Sequence, residues 1–222
     1  MPGKDYMKRT CQTLIASCLL LLLCGPATAQ HYGPYVGAFL GGNAPTKAKA
    51  SDDLGDFSLT FNPALMGSAV LGWDLEPGHP VGEGRVELEY SRRSNPLDQV
   101  KLVDGKLKGG GTVTADSLLL NLIGVYRDNS RFSPYAGVGA GAARIEASDL
   151  QVAGFPMGSG SSVVFAYQLA GGVDVALTDH LNLDLGYRFF GSTRPTFTEV
   201  SGHKFRMDYY SHSAVLGLRF GF

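Results

Sequence analysis

Past Cys24 the chain has no cysteine; its three cysteines are Cys11, Cys18 and Cys24. That excludes a disulfide framework, a thiolate metal site and a cysteine nucleophile from the rest of the chain. Charge is also scarce, at 18% Asp, Glu, Lys and Arg against the ~25% usual in soluble domains. The net charge of −1 leaves no basic footprint, so nucleic acid is not an expected partner. After residue 30 no apolar run approaches the ~20 residues a spanning helix needs. The histidines, at 31, 79, 180, 203 and 212, have no metal-ligand spacing, so neither a metal nor a cofactor is expected.

What is present begins with a leader. Lys4, Lys8 and Arg9 precede the apolar stretch CQTLIASCLLLLLCG, and PATAQ follows with small residues at Ala27 and Ala29. This is the layout of a secretory signal peptide, residues 1–29, cleaved after Ala29. A permanent anchor is disfavoured because the apolar run is short, and a lipobox at Cys18 because the leucines follow it. Residues 30–222 then form one exported domain without disulfides.

In that domain helical periodicity is absent and period-two alternation recurs. It predicts strands over 34–42, 64–75, 84–93, 113–127, 134–147, 163–177, 181–191 and 209–222. Long connections (43–63, 94–112, 148–162, 192–208) alternate with short ones (76–83, 128–133, 178–180). Short turns at one end and long loops at the other are the pattern of a transmembrane barrel. The expected fold is therefore all-β: an eight-stranded antiparallel up-and-down transmembrane β-barrel with periplasmic termini.

Parity assigns the faces. Tyr210, His212, Ala214, Leu216, Leu218, Phe220 and Phe222 alternate with Ser211, Ser213, Val215, Gly217, Arg219 and Gly221. Val86, Leu88 and Tyr90 alternate with Arg85, Glu87, Glu89 and Ser91. A solvated polar face would carry lysine, yet all eight lysines fall in the leader or the long connections. Arginine with carboxylates on a crowded face suits an enclosed lumen. The expected lumen network is Asp74, Arg85, Glu87, Glu89, Arg93, Arg144, Glu146, Asp174, Asp184, Arg188 and Arg219. Its near balance argues for mutual pairing rather than an ion path. The aromatics form two expected belts: Trp73, Tyr126, Tyr135, Phe220 and Phe222 at one end, and Tyr90, Phe165, Tyr167, Phe189 and Tyr210 at the other. The faces of strands 34–42 and 134–147, with glycines on both parities, stay unassigned.

Parity also sets one register. Even residues point inward on 163–177 and on 181–191, so the turn between them has three residues, Thr178 to His180. Asp174 then faces Asp184, and the two carboxylates need a cation, for which Arg219 is the candidate. The same register sets Tyr187 beside Gly171, an aromatic covering a strand glycine.

On SPYAGVGAGAA, AYQLAGGVDVALTDHLNLDLGYRFF and HSAVLGLRFGF the chain resembles the small bacterial outer-membrane barrels of the opacity and OmpA-like type. The resemblance covers the whole exported domain. It implies residence in the outer membrane among lipids and lipopolysaccharide, and reading of the terminal Phe222 by the outer-membrane assembly machinery. Unlike OmpA itself, nothing follows Phe222, so a periplasmic domain is not expected.

Other motifs carry less. GVGAGA at 137–142 lacks the strand before and helix after that a dinucleotide fingerprint needs. His212 with Ser211 and Ser213 is the best hydrolase candidate, but its parity faces away from the serines, so the protein is not expected to be an enzyme. Lys101, Lys106 and Lys108 in KLVDGKLKGGG face lipopolysaccharide phosphates or an anionic host surface, or are simply solvated. The expected role is envelope integrity and display of long loops for interaction with a host or surface ligand, as a monomer. The alternatives are narrow, porin-like uptake of a small or apolar solute, and lipid A modification.

Overall fold

The computed structural model describes residues 32–51, 55–76, 83–102, 105–128, 130–199 and 204–222. The expected leader, His79 and His203 lie outside them, as does His31. Twelve antiparallel strands form one sheet: β1 Gly33–Pro45, β2 Ala48–Ser51, β3 Asp56–Phe61, β4 Ala64–Asp74, β5 Gly84–Leu102, β6 Gly105–Val125, β7 Phe132–Val152, β8 Phe155–Ala176, β9 Leu181–Ser192, β10 Thr196–Glu199, β11 Lys204–Met207 and β12 Tyr210–Gly221. The count differs from the eight expected because the long connections are strands themselves. Two of them lengthen β5, β6, β7 and β8, while the other two supply β2, β3, β10 and β11.

The pairings run as a circuit. β1 pairs with β4 and with β12, β4 with β5, β5 with β6, and so through β7, β8 and β9 back to β12. Every strand of that circuit has two partners, so none leaves an open row of backbone N–H and C=O groups. Beyond it β2, β3, β10 and β11 continue the wall, joined at its sides by β3–β5 and β10–β8. One hairpin shows why a stretch read as a loop folds this way. Val152 faces Phe155 across Ala153-Gly154, both at positive φ, 52° and 85°. That is the two-residue turn whose twist matches its flanking strands.

Burial alternates along the strands, most cleanly on β12. On β12, Ser211, Ser213, Val215, Gly217, Arg219 and Gly221 are buried, and His212, Ala214, Leu216, Leu218 and Phe220 are exposed. The exposed face is apolar over much of its area, with Leu65 at 82% and Leu40 at 74% exposed. A water-soluble protein rarely leaves so continuous an apolar surface bare. Trp73, Tyr126, Phe132, Phe220 and Phe222 mark one end of this band. Between Phe220 and Tyr210 it is roughly 25 Å tall, from ~3.3 Å per residue and a ~40° tilt. Tyr135 does not belong to that belt: it is buried, and Phe132 takes the outward position. β7 settles the faces that sequence left open. Tyr135, Gly137, Gly139, Gly141, Ala143 and Ile145 point inward, and on β1 Tyr35, Phe39 and Asn43 do so.

The interior has two zones. The lower one, enclosed by the circuit, is mostly polar and charged, with two small apolar clusters set among the charges, one around Phe39, Met66, Val70 and Val215 and one around Ile123 and Val125. The upper one, inside the extension, is apolar: Phe57, Leu59, Leu97, Ile145, Phe190, Phe197, Phe205 and Met207 pack with smaller neighbours into one buried cluster. The change can be followed up β5 alone, where the inward positions read Arg85, Glu87, Glu89, Ser91, Arg93, Asn95, Leu97 and Val100.

Candidate functional site: a charged lumen beneath an apolar plug

Nine of the eleven expected lumen residues are buried: Asp74, Arg85, Glu87, Glu89, Arg93, Asp174, Asp184, Arg188 and Arg219. Arg144 and Glu146 are not. They pair with each other at 3.2 Å with side chains 58% and 45% exposed, on the outside of β7. The correction follows from parity, since the odd residues of β7 point inward and both of these are even. Arg127, outside the expected set, joins the network instead by bonding Asp74. The buried groups are then Arg85, Arg93, Arg127, Arg188 and Arg219 against Asp74, Glu87, Glu89, Asp174 and Asp184, five of each sign.

Their contacts are layered. At the lower level Asp174 faces Asp184 across β8 and β9. Leu177 donates to the Leu181 carbonyl at 2.9 Å, leaving Thr178, Asp179 and His180 as the turn between them. Both Arg85 and Arg219 bond Asp174, and Arg219 Nε lies 3.8 Å from Asp184. Tyr135 donates to Asp184 at 2.8 Å, Tyr35 donates to Glu87, and Arg85 Nε lies 3.6 Å from Glu87. One level up, Glu89 accepts from Asn121 at 2.8 Å and Gln168 at 2.9 Å while pairing with Arg188. Above that Arg93 has no carboxylate partner among the described residues. It donates to Ser91 at 2.7 Å and to Gln168 and Ser117, each at 3.2 Å. Asn43, Asn95 and Ser213 close the polar zone.

Aromatic rings complete the arginines' surroundings. Arg85 lies over Tyr135 at 5.0 Å, Arg93 over Phe190 at 4.3 Å, Arg188 over Phe39 at 4.4 Å and Arg219 over Tyr35 at 5.3 Å, distances at which ring faces attract cations. Glycines make room for those rings. A Cβ at Gly72 would stand 2.2 Å from the Tyr35 ring, and one at Gly217 would stand 2.1 Å from Phe39. Gly171 does face Tyr187, but that ring does not cover it. The Tyr187 hydroxyl meets His212 Nδ1 at 2.6 Å, and it is Tyr167 that lies against a glycine, Gly191. The aromatic partners Tyr35 and Tyr135, and the amides Asn121 and Gln168, were missed by a search for charge. The signal in the sequence was inward parity beside facing glycines.

The free space among Arg85, Glu89, Tyr135 and Arg188 is a cavity of about 10 Å³, close to the room of one water. Outside the apolar band, two turn groups are electrostatically set. Hydrogen bonds from Ser130 hold the Asp128 carboxyl below its ordinary range, and bonding to Asp208 at 2.7 Å raises the Arg194 guanidinium above its own.

A closed antiparallel wall, greasy outside and ion-paired inside, defines an integral β-barrel of the bacterial outer membrane. The chain belongs to the outer membrane protein beta-barrel domain family, whose profile matches residues 15–220. No curated protein matches the sequence. Among solved structures it is similar to OprG from Pseudomonas aeruginosa, at 16% identity and a TM-score of 0.56, covering 88% of this chain and all of that one (100%). It is also similar to AlkL, at 17% identity and a TM-score of 0.51, covering 90% and 96% of the two chains. The outer membrane protease OmpT from Escherichia coli aligns at 12% identity and a TM-score of 0.51, covering 90% and 100%. At these identities the likeness is one of fold.

Proposed function

We propose that the protein is a non-enzymatic, monomeric, eight-stranded up-and-down barrel with periplasmic termini, closed to hydrophilic solutes, that stiffens the envelope and presents its strand extension at the cell surface as a binding face. The carrying observation is that the interior is blocked twice, by a balanced ion-pair network and by a packed apolar cluster above it. A lone His212, bonded to Tyr187 and with Ser211 and Ser213 buried on the opposite face, supports the absence of hydrolase chemistry.

The outer surface supports the placement. Tyr90, Leu118, Ala142 and Phe165 form one cross-strand row. In the next row up, Arg92 faces Asp116 and Asp116 faces Arg144. On β5, β6 and β7 apolar gives way to charge within a single step, while β8 continues with Val163, and this supports an outer-leaflet boundary near this row. The exposure of Arg92 and Arg144, 63% and 58%, supports contact with lipopolysaccharide phosphates there. At the other end Phe222 is exposed and its amide bonds the Pro34 carbonyl at 3.2 Å, which suits an aromatic terminus offered to the assembly machinery.

A second reading, uptake of a small apolar solute, draws support from an apolar cavity of about 280 Å³ at the top of the upper cluster, lined by Phe57, Val100, Leu102, Val152, Phe155 and Met157. Purified protein in liposomes separates the readings. Sugar-driven swelling at the rate of protein-free vesicles is expected. Swelling at the rate of a general porin would overturn the closed-lumen reading, and transfer of an apolar solute without swelling would favour the second.

A further inference from the structure

The lysines do not scatter. Lys49 faces Ser58, Ser58 faces Lys101, and Lys101 faces Lys106, one cross-strand row over β2, β3, β5 and β6. Like charges directly opposite one another on a sheet are destabilising. Yet Lys101 and Lys106 stand in that relation, and no ion pair joins Lys47, Lys49, Lys101 or Lys106 to a carboxylate among the described residues. The row borders an open cleft of about 570 Å³ whose lining includes Lys47, Lys49, Ser58, Lys101 and Arg194. Asp56 is the cleft's one carboxylate among the described residues, and nearby Asp208 is already engaged by Arg194 at 2.7 Å. Among the described residues the cleft is thus a concentration of positive charge in a molecule whose interior charges cancel.

Its height limits what it can meet. From Arg92 to Lys101, β5 runs about 30 Å at ~3.3 Å per residue, or roughly 23 Å of height at a ~40° tilt. Lipid headgroups lie at the level of Arg92 and Arg144, far below. A ligand at the cleft must be a chain that stands in water and carries its own anions. Peptide acids are spaced irregularly, whereas a substituted sugar chain repeats its anionic groups at sugar-sized intervals, and a cleft of this volume takes a few such units.

We propose that this cleft binds an anionic saccharide chain, with sulfate or phosphate groups on Lys47, Lys49 and Lys101 and the Ser58 hydroxyl between Lys49 and Lys101. The ammonium groups act as point charges toward these oxygens. The site deepens the surface-display reading above and rests on it for access.

The test titrates folded, detergent-purified protein with dextran sulfate, with neutral dextran, and with the phosphorylated core oligosaccharide released from lipopolysaccharide. Saturable binding of either anion, absent for neutral dextran, is expected. It should weaken with salt and fall about tenfold in Lys49→Gln/Lys101→Gln, two charge-assisted contacts being lost. Arg131→Gln, beside the start of β7 at the opposite end of the barrel, should bind as the wild type does. Core oligosaccharide binding alone would assign the cell's own glycan as the ligand, and binding of dextran sulfate would assign an external one. If neither anion binds, or the lysine variant binds undiminished, the site is wrong. A membrane-impermeant amine reagent on intact cells tests the surface reading separately. Failure to label Lys101 while dextran sulfate binds purified protein would overturn surface display and leave the anion chemistry standing.

Discussion

Arg219 holds two carboxylates that would otherwise face each other bare. It bonds Asp174, stands 3.8 Å from Asp184 and lies over the Tyr35 ring. Arg219→Leu leaves Asp174 to Arg85 and leaves Asp184 with only the Tyr135 hydroxyl, in a site 2% exposed. Removing one partner of a buried network costs about 3–5 kcal/mol, because the stranded charge keeps its desolvation penalty. The loss should appear as a lower urea midpoint for unfolding in detergent micelles. Arg219→Lys should recover part of it, supplying the charge without the planar fork. Arg144→Leu, which breaks an exposed pair, should shift stability by no more than about 0.5 kcal/mol. Equal effects from Arg219→Leu and Arg144→Leu would show that the interior network does not hold the wall. This contrast was only half legible in the sequence. Parity placed Arg219, Asp174 and Asp184 together because large apolar residues alternate on 163–177, 181–191 and 209–222. On β7 the outer face between Pro134 and Arg144 is mostly alanine with Val138 alone larger, and glycine can sit on either face, so Arg144 and Glu146 could not be placed by charge alone.

The strands of the circuit were legible because a bilayer imposes an alternation with few exceptions. The extension was not, because water lies outside it and its polar outer residues look like loop composition. Its inner positions, Phe57, Leu59, Phe197, Phe205 and Met207, do alternate, but over runs of only four to six residues. The β10–β11 hairpin shows how such short pieces are held. It meets β8 through Thr198 and Glu199 and β2 through Arg206 and Met207, two residue pairs on each side. Ladder bonds are few, so packing must do most of the stabilising. Phe205 is fully buried, with its ring 5.3 Å from Phe197 and 6.1 Å from Phe57. Phe205→Ala removes contacts to both neighbours and should cost the extension about 3–5 kcal/mol. The expected outcome is faster proteolytic cutting between residues 193 and 208 on intact cells. The membrane circuit should keep its heat-resistant gel mobility, since none of its pairings passes through Phe205. Loss of the folded band itself would mean that extension and circuit unfold as one unit.

For the whole molecule, what matters is that two unlike seals are stacked in one tube. The lower one is electrostatic: Arg188 and Glu89 bridge the lumen, with Asn121 and Gln168 on the same carboxylate. The upper one is apolar and depends on β10 and β11 for Phe197 and Phe205. Neither seal borrows side chains from the other except at their junction, where Arg93 lies over Phe190. Replacing residues 194–208 by a short linker should therefore open the top and leave solute flux in liposomes at the wild-type level. Glu89→Ala/Arg188→Ala removes charge in a matched pair, so no ion is left buried alone and the barrel should still fold. It too should leave flux unchanged, because the apolar cluster stays packed above it. Combining the two changes removes both barriers, and small sugars should then pass. If the linker replacement alone produced flux, the ion pairs would be a polar lining rather than a seal. If the combined variant stayed closed while folded, the remaining side chains, Arg93 and Tyr135 first among them, would be sufficient to fill a tube that is only just wide enough for side chains.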